Sequence, residues 1–360
     1  MKQEIKGLTL NDRFFPLPDL LKHCKLEIKT NTEPEWKLDI YYFILDFLDD
    51  SEVIFQKTSG TTGESKTIEL QKASMIASAK NTIEFFGLKE KDVAVLCLPM
   101  QYIAGKMMIV RALVAGLNLK LIQPSGTPDF SGLGNIDFCA LVSMQASNLL
   151  NNNLWPHVKM MILGGSEISQ KLKPLLQTLE TEVYETYGMA ETCSHVALKR
   201  INGKQAQSVF TALPEIQLST DERDCLVIRA AFLPEQITTN DRVEMTGENQ
   251  FKWLGRIDNL INSGGIKIQP EILEKKIEEI LQKPCVILSE PDEILGQKVV
   301  LIVETSEPEN PNEILEKLAP FFDKKMLPKA VRFVDSLPRN KSFKIDREGL
   351  KGRDQENPFS

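Results

Sequence analysis

Residues Thr58-Ser59-Gly60-Thr61-Thr62-Gly63-Glu64-Ser65-Lys66 run directly into Thr67-Ile68-Glu69-Leu70. Glycines at 60 and 63 let a backbone approach an anion closely. The hydroxyls of Thr58, Ser59, Thr61 and Thr62 add donors, and Lys66 adds a cation. Such a loop can cradle a polyphosphate through its amides; an unliganded surface loop is the plainer account of the same composition. The stretch also approaches the pattern G-x-x-x-x-G-K-[ST], with Gly60 and Lys66-Thr67 in place but Ser65 where the second glycine belongs. That pattern requires a helix directly after the lysine, because the helix N-terminus holds the phosphates. Here Thr67 to Leu70 alternates polar and apolar residues, which predicts a strand. With Val53-Ile54-Phe55 read as a strand before it, the segment is a phosphate loop between two strands and not a P-loop.

Outward from this loop, apolar strands alternate with helices. Helical spacing covers Trp36 to Leu48, Ala73 to Phe86, Lys106 to Ala115, Gln145 to Leu150 and Ser169 to Leu179. Buried strands are expected at Val93 to Leu98, Leu119 to Ile122, Phe138 to Val142, Met160 to Leu163 and Val183 to Glu185. Strands separated by helices of this length imply an α/β fold with mostly parallel sheets. After Ala197 the texture changes to short strands and turns at Cys225 to Ala230, Asp241 to Met245 and Phe251 to Leu254. A strongly periodic helix, Pro270 to Leu281, opens an α+β pattern that continues through Val286 to Leu288, Lys298 to Glu304, Glu313 to Leu318 and Ala330 to Val334. The expected organisation is a large domain over 1–257 and a small one over 258–360, consistent with about two domains for 360 residues.

Composition narrows the function. The hydrophobic fraction of 42% and charged fraction of 26% are those of a soluble globular chain. Forty-three basic against 50 acidic residues leave a net charge of −7, and no basic block offers a nucleic-acid footprint. The six cysteines include no C-x-x-C pair, so neither a zinc nor an iron–sulfur site is indicated, and buried reduced thiols are expected. Met1 to Lys6 carries no apolar signal core, and no run approaches ~20 apolar residues. The expectation is a cytoplasmic protein with no membrane span.

Five motifs in order then resemble the adenylate-forming superfamily of acyl-CoA ligases, luciferases and peptide-synthetase adenylation domains. Thr58 to Lys66 resembles its T-S-G-T-T-G-x-x-K loop, and Tyr187-Gly188-Met189-Ala190-Glu191-Thr192 its Y-G-x-T-E motif. Thr239-Asn240-Asp241 stands where the superfamily has T-G-D. Gly255-Arg256-Ile257-Asp258-Asn259 and Ser263-Gly264-Gly265-Ile266-Lys267-Ile268 resemble G-R-x-D-D-x-I-x-x-x-G-x-K-I. Leu337 to Ile345 resembles P-R-T-x-x-G-K-I. The resemblance implies ATP, Mg²⁺ and coenzyme A as reactants and cofactor, and a mobile C-terminal lid. It assigns Mg²⁺ to Glu191, the α-phosphate to Thr192, the ribose to Asp241 with Arg256 alongside, and the forming acyl-phosphate bond to Lys344. Gly164-Gly165 would border the acyl pocket and adenine, Tyr187-Gly188 the nucleotide, Asp258 the hinge, and Ser263 to Gly265 the CoA side. Asn240 and Phe343 each replace a superfamily glycine, and only 57 residues precede the loop, which implies a reduced scaffold.

The chemistry suits these residue types. A carboxylate attacking the α-phosphate of ATP brings two anions together, so catalysis is positioning and charge neutralisation. For the acid, Leu98 to Gly105 occupies the place of the superfamily's L-P-x-x-H-x-x-G, with Tyr102 at the histidine. Lys106 and Arg111 then interrupt an apolar helix. A cation there needs an anion or must snorkel to solvent. Facing the pocket, they would meet a second carboxylate on the substrate, and His195 would help line it. The short chain, Arg111 and the Tyr187 to Ser194 run resemble the o-succinylbenzoate–CoA ligases of menaquinone biosynthesis. A ligase for another aryl or medium-chain acid, a catalytically silent nucleotide-binding module and a P-loop NTPase remain the alternatives; the last predicts a helix after Lys66. Oligomeric state is open, a homo-oligomer included.

Overall fold

The computed structural model describes residues 5–58, 66–307, 309–339 and 345–352. The chain forms two compact units. One runs to Ile168 and takes in Leu175–Leu218 and Ile228–Ile237; the other comprises Ser169–Pro174, Ser219–Val227 and the chain from Thr238 onward. Asp258 therefore lies inside the second unit.

The first unit opens with an antiparallel pair, β1 (Gly7–Leu10) and β2 (Arg13–Pro16), then α1 (Leu17–Thr30) and α2 (Glu35–Leu48). Next comes a hairpin of β3 (Val53–Lys57) and β4 (Thr67–Gln71), followed by α3 (Lys72–Phe86), β5 (Val93–Leu96), α4 (Ile103–Ala115) and β6 (Asn118–Leu121). Then β7 (Ile136–Val142), α5 (Ser143–Asn151) and β8 (Val158–Gly164) precede the short α6 (Leu172–Gln177), β9 (Glu182–Gly188), β10 (His195–Arg200) and β11 (Phe210–Ala212). Within the sheet these strands lie in the order β11-β10-β9-β8-β7-β5-β6-β1-β2. From β9 through to β1 every neighbouring pair is parallel. Residues 107–113 of α4 are all buried, which is why this helix shows no polar face in the sequence.

The hairpin decides between the two readings of the phosphate loop. Thr67 begins a strand paired with Lys57, not a helix, and the Thr58 amide donates to the Lys66 carbonyl at 2.7 Å. The loop is thus closed at its mouth by a ladder. The strand pair β1–β2 and helix α1 are absent from the sequence reading, α6 is shorter than expected, and His195 begins strand β10.

Two strands, β12 (Ile216–Thr220) and β13 (Cys225–Ala230), are divided between the units. In the second unit, β14 (Ile237–Gly247) and β15 (Gln250–Arg256) form an antiparallel ribbon. Then come β16 (Ile261–Ser263), β17 (Ile266–Ile268), α7 (Pro270–Leu281), β18 (Cys285–Asp292), β19 (Gly296–Glu304), α8 (Pro311–Leu318), β20 (Ala330–Val334) and α9 (Arg347–Gly352). The sheet order is β17-β16-β19-β18, with β20 parallel to β19. Helix α7 buries Leu273 and Ile277, four apart on one face, among Ile261, Ile287 and Leu301. On the same helix Glu274 receives both Nη atoms of Arg347, at 2.8 and 2.7 Å. Burial pushes the Glu274 carboxyl up and the arginine opposes that shift. Arg347→Met strands this carboxylate, so the unit should lose about 3 kcal/mol of stability, read by urea unfolding. Unchanged stability would show that the pair contributes nothing.

All six cysteines are buried and unbridged, as expected. Among the described residues no helix is long and apolar enough to cross a membrane.

Candidate active site

In the first unit the carboxyl ends of the parallel strands β5, β7, β8 and β9 come side by side. Strand β5 lies between β6 and β7, so the connection after β5 runs to one side, to β6, and the connection after β7 runs to the other, to β8. Ligand crevices of open α/β sheets form at such reversals, outside the strand carboxyl ends. The register pairs Val142 with Gly164 and Leu163 with Glu185. This brings Gly164-Gly165 beside Thr186, whose hydroxyl donates to the Leu163 carbonyl at 3.2 Å. After β5, Tyr102 stands half-buried at the N-terminal boundary of α4. A Cβ on Gly105 would come within 2.6 Å of the Pro99 carbonyl oxygen, so the close passage of this loop over α4 demands glycine.

The β3–β4 hairpin is fastened to the same region. Gln56, buried on β3, donates from Nε2 to the Gln101 carbonyl at 2.8 Å and to the Lys57 carbonyl at 2.7 Å. Sequence reasoning passed over it, although a glutamine on the buried side of the strand, in phase with Ile54, marks it. Thr58 is half-buried and Lys66 exposed at the loop's two ends. Ser59, Gly60, Thr61, Thr62 and Gly63 lie outside the described residues, as does Lys344.

The turn after β9 carries the second cluster. Tyr187 sets its ring 5.9 Å from that of Phe210. Gly188 pairs with His195, and a Cβ there would lie 2.3 Å from the Ser194 carbonyl oxygen and 2.5 Å from the His195 Cα. Gly188→Val must therefore push β9 and β10 apart; we expect a loss of about 1–3 kcal/mol in urea unfolding, with activity lost at temperatures where the variant remains folded. Wild-type activity in that variant would refute the close fit. Glu191 is exposed on this turn.

Thr192 behaves differently from its expected role. Its side chain is fully buried, and its hydroxyl lies 2.9 Å from the Met189 carbonyl and 2.6 Å from that of Ser194, while accepting from the Met189 amide at 3.0 Å. It braces the turn from inside and is spent on backbone. In the pattern Y-G-x-T-E, the residue at the threonine is Ala190, whose methyl offers no hydrogen bond.

Lys106 and Arg111 also part company. Five helical positions rotate about 140° around the axis. Lys106 reaches the Phe55 carbonyl at 3.4 Å and lies over the Phe43 ring, and burial holds its amine below the usual lysine value. Arg111 is buried to 1% exposure. Its Nη2 donates to Ser194 Oγ at 2.7 Å; among the described residues its Nη1 meets only the Met108 sulfur, at 3.7 Å, and its Nε has no partner. Among the described residues no carboxylate lies against it. His195, likewise buried, is 3.3 Å from Ser194 Oγ through Nδ1 and 3.2 Å from Thr82 Oγ1 through Nε2. Ser194 and Thr82 were not singled out by the sequence reading; Ser194 falls within the run that carried the resemblance. Tyr184 packs edge-on against Phe85 and Phe86.

The second unit groups Asp241, Arg256 and Asp258. Asp241 and Arg256 are cross-strand partners on β14 and β15, with Nη1 3.7 Å from Oδ1. Asp241 is buried and accepts from Trp253 Nε1 at 3.1 Å. Arg256 Nη2 also donates to Asp258 at 2.7 Å. Asn240, in place of the superfamily glycine, donates to both oxygens of the same carboxylate, at 3.0 and 3.3 Å. Gly264 and Gly265 are exposed at the β16–β17 turn, where the Gly264 amide donates to the Leu295 carbonyl at 2.9 Å; Ser263 is buried.

The sequence pattern of the AMP-binding enzyme family matches residues 46–220. A solved acyl-CoA synthetase (AMP-forming)/AMP-acid ligase II-like protein from Dyadobacter fermentans is 33% identical, with 91% of this chain and 98% of that one covered and a TM-score of 0.59. The chain belongs to the AMP-binding enzyme family. Among curated relatives of this AMP-binding enzyme, the 2-succinylbenzoate–CoA ligase of Lactococcus lactis is 27% identical over 334 residues, covering 85% of this chain and 72% of the relative. The o-succinylbenzoate coenzyme A synthetase of Bacillus subtilis shares the fold at a TM-score of 0.77 and 17% identity, over 98% of this chain and 97% of that one.

Proposed function

We propose that this AMP-binding enzyme is an AMP-forming acid–CoA ligase, and that its acid is o-succinylbenzoate. The observation that carries the substrate is Arg111. A permanently charged guanidinium, buried beside the strand ends with no carboxylate among the described residues, calls for an anionic partner. A substrate with two carboxylates supplies one for reaction and one for this arginine. The 2-succinylbenzoate–CoA ligases among the curated relatives support the same acid.

In the first half-reaction an oxygen of the acid's carboxylate bonds to the α-phosphorus of ATP. The bond to the β-phosphate oxygen breaks, and pyrophosphate leaves with its electron pair. The loop from Thr58 to Lys66 holds the phosphates, and Lys344 neutralises the charge that accumulates around the α-phosphorus. In the second half-reaction the CoA thiolate attacks the acyl carbon and AMP departs with the anhydride oxygen. Asp241 and Arg256 serve the ribose. A rotation about Asp258 withdraws Lys344 and brings the Ser263 to Gly265 turn to the thiol, since two nucleophiles using one site call for two closed states. Glu191 suits Mg²⁺, a hard cation that takes one or two carboxylates together with phosphate oxygens. That ion, when bound, offsets phosphate charge, and Glu191 stands exposed to receive it. The Bacillus subtilis synthetase was solved with ATP and a magnesium ion, which supports magnesium as the ion. A place in the cytoplasm and in menaquinone biosynthesis follows from the proposed substrate.

Pyrophosphate release measured over a panel of acids, with and without CoA, tests the reading. Release with o-succinylbenzoate far above that with benzoate or a medium-chain acid is expected, and thioester only when CoA is present. Equal turnover of monocarboxylates would remove the dicarboxylate assignment, and phosphate in place of pyrophosphate would remove the ligase.

A further inference from the structure

Arg111 is joined to a chain of side chains that none of the roles above uses. Its Nη2 can only donate, so Ser194 Oγ accepts that bond at 2.7 Å and must send its own proton elsewhere. The neighbouring acceptor is His195 Nδ1, 3.3 Å away. On the far side of the ring, Thr82 donates its single proton to the Ser78 carbonyl at 3.2 Å, leaving lone pairs toward His195 Nε2 at 3.2 Å. One arrangement satisfies every member: Arg111 to Ser194, Ser194 to Nδ1, Nε2–H to Thr82, Thr82 to Ser78. The opposite tautomer makes Ser194 Oγ accept from both Arg111 and Nδ1–H, leaves the serine proton without an acceptor in this chain of groups, and sets the Nε2 lone pair against those of Thr82.

We propose that His195 is a positioning residue: with its proton on Nε2, it turns the Ser194 hydroxyl so that a lone pair faces Arg111, and so fixes the guanidinium that receives the substrate's second carboxylate. This rests on the o-succinylbenzoate reading for the identity of that carboxylate. Burial and the nearby Arg111 charge both hold the imidazole well below its usual value, so the ring adds no second positive charge to the pocket. The relay commits Nη2 and leaves Nε and Nη1 without an oxygen partner among the described residues, two donors on one planar group. A buried chain in which each member has one role orients its end group more tightly than packing alone.

The tautomer is read directly from the imidazole nitrogen shifts of the wild-type protein, which has only three histidines to assign. A protonated Nε2 and bare Nδ1 at His195 are expected; the reverse overturns the relay, whatever the substrate proves to be. In kinetics, His195→Leu keeps the volume and removes the acceptor. Its KM for o-succinylbenzoate should rise about tenfold, the scale of one hydrogen bond to a charged group, with KM for ATP unchanged. His195→Asn, which returns an oxygen near Nδ1, should recover most of that loss. In a Ser194→Ala background the leucine substitution should add little more, because the chain is already cut. Equal losses for ATP and acid, or full additivity with Ser194→Ala, would mark His195 as packing only. If wild type takes benzoate as readily as o-succinylbenzoate, the substrate reading fails on its own, and the nitrogen spectrum still decides the relay.

Discussion

Lys344→Ala is expected to lower the rate of acyl-adenylate formation about a thousandfold, the upper range for removing one donor aimed at developing charge. Pyrophosphate release in the presence of the acid measures it. The same variant should convert a supplied acyl-adenylate and CoA to thioester at close to the wild-type rate, because the thiolate attacks carbon and no bond to phosphorus forms or breaks in that step. The divergence of the two assays is the substance of the prediction. Phe343, which precedes Lys344 in place of the superfamily glycine, is the natural second target. Phe343→Gly should leave Lys344 able to act, so a fall in adenylation as deep as that of Lys344→Ala would mean the bulky neighbour is required. If Lys344→Ala loses both half-reactions to the same degree, the lysine does not divide its work as proposed.

Arg111→Met should produce the second large effect, and in two directions at once. Methionine fills much of the same volume but cannot bind an anion. Losing a buried, charge-assisted contact to the substrate's second carboxylate corresponds to about 3 kcal/mol, or about a hundredfold in kcat/KM for o-succinylbenzoate. Activity toward a monocarboxylate should change far less, which separates lost recognition from general damage. Stability should move the other way. Burial pushes the Arg111 side chain down to about 9 from its ordinary value, a sign that the fold holds this charge at a cost, and no carboxylate among the described residues offsets it. The variant's melting temperature should therefore equal or exceed that of the wild type. A clear drop in melting temperature together with equal loss on both acids would show that Arg111 holds the fold together and does not read the substrate.

The chain carries its fold class in local pattern. Thr67 to Leu70 alternates as a half-buried strand must, and with the apolar Val53 to Phe55 before it the hairpin follows. Helix α7 and strand β20 have the bounds read from periodicity, because each buries one face with the spacing of its own geometry. The motifs around Asp241, Arg256 and Asp258 were legible for a related reason: a ribbon and the turn after it place residues close in sequence close in space. What packing at long range determines was not legible. Lys106 and Arg111 look alike on paper, yet only the surrounding helices and strands decide that one reaches the Phe55 carbonyl and the other Ser194. Thr192 sits in a motif read as ligand-binding, and only the closure of its turn turns the hydroxyl inward. His195 and Thr82 stand 113 residues apart, and no local pattern can report that a strand and a helix bring them into one hydrogen-bonded line. Residue types and spacing state which chemistry is available; the direction of each side chain is set by neighbours the chain reaches only once it is folded.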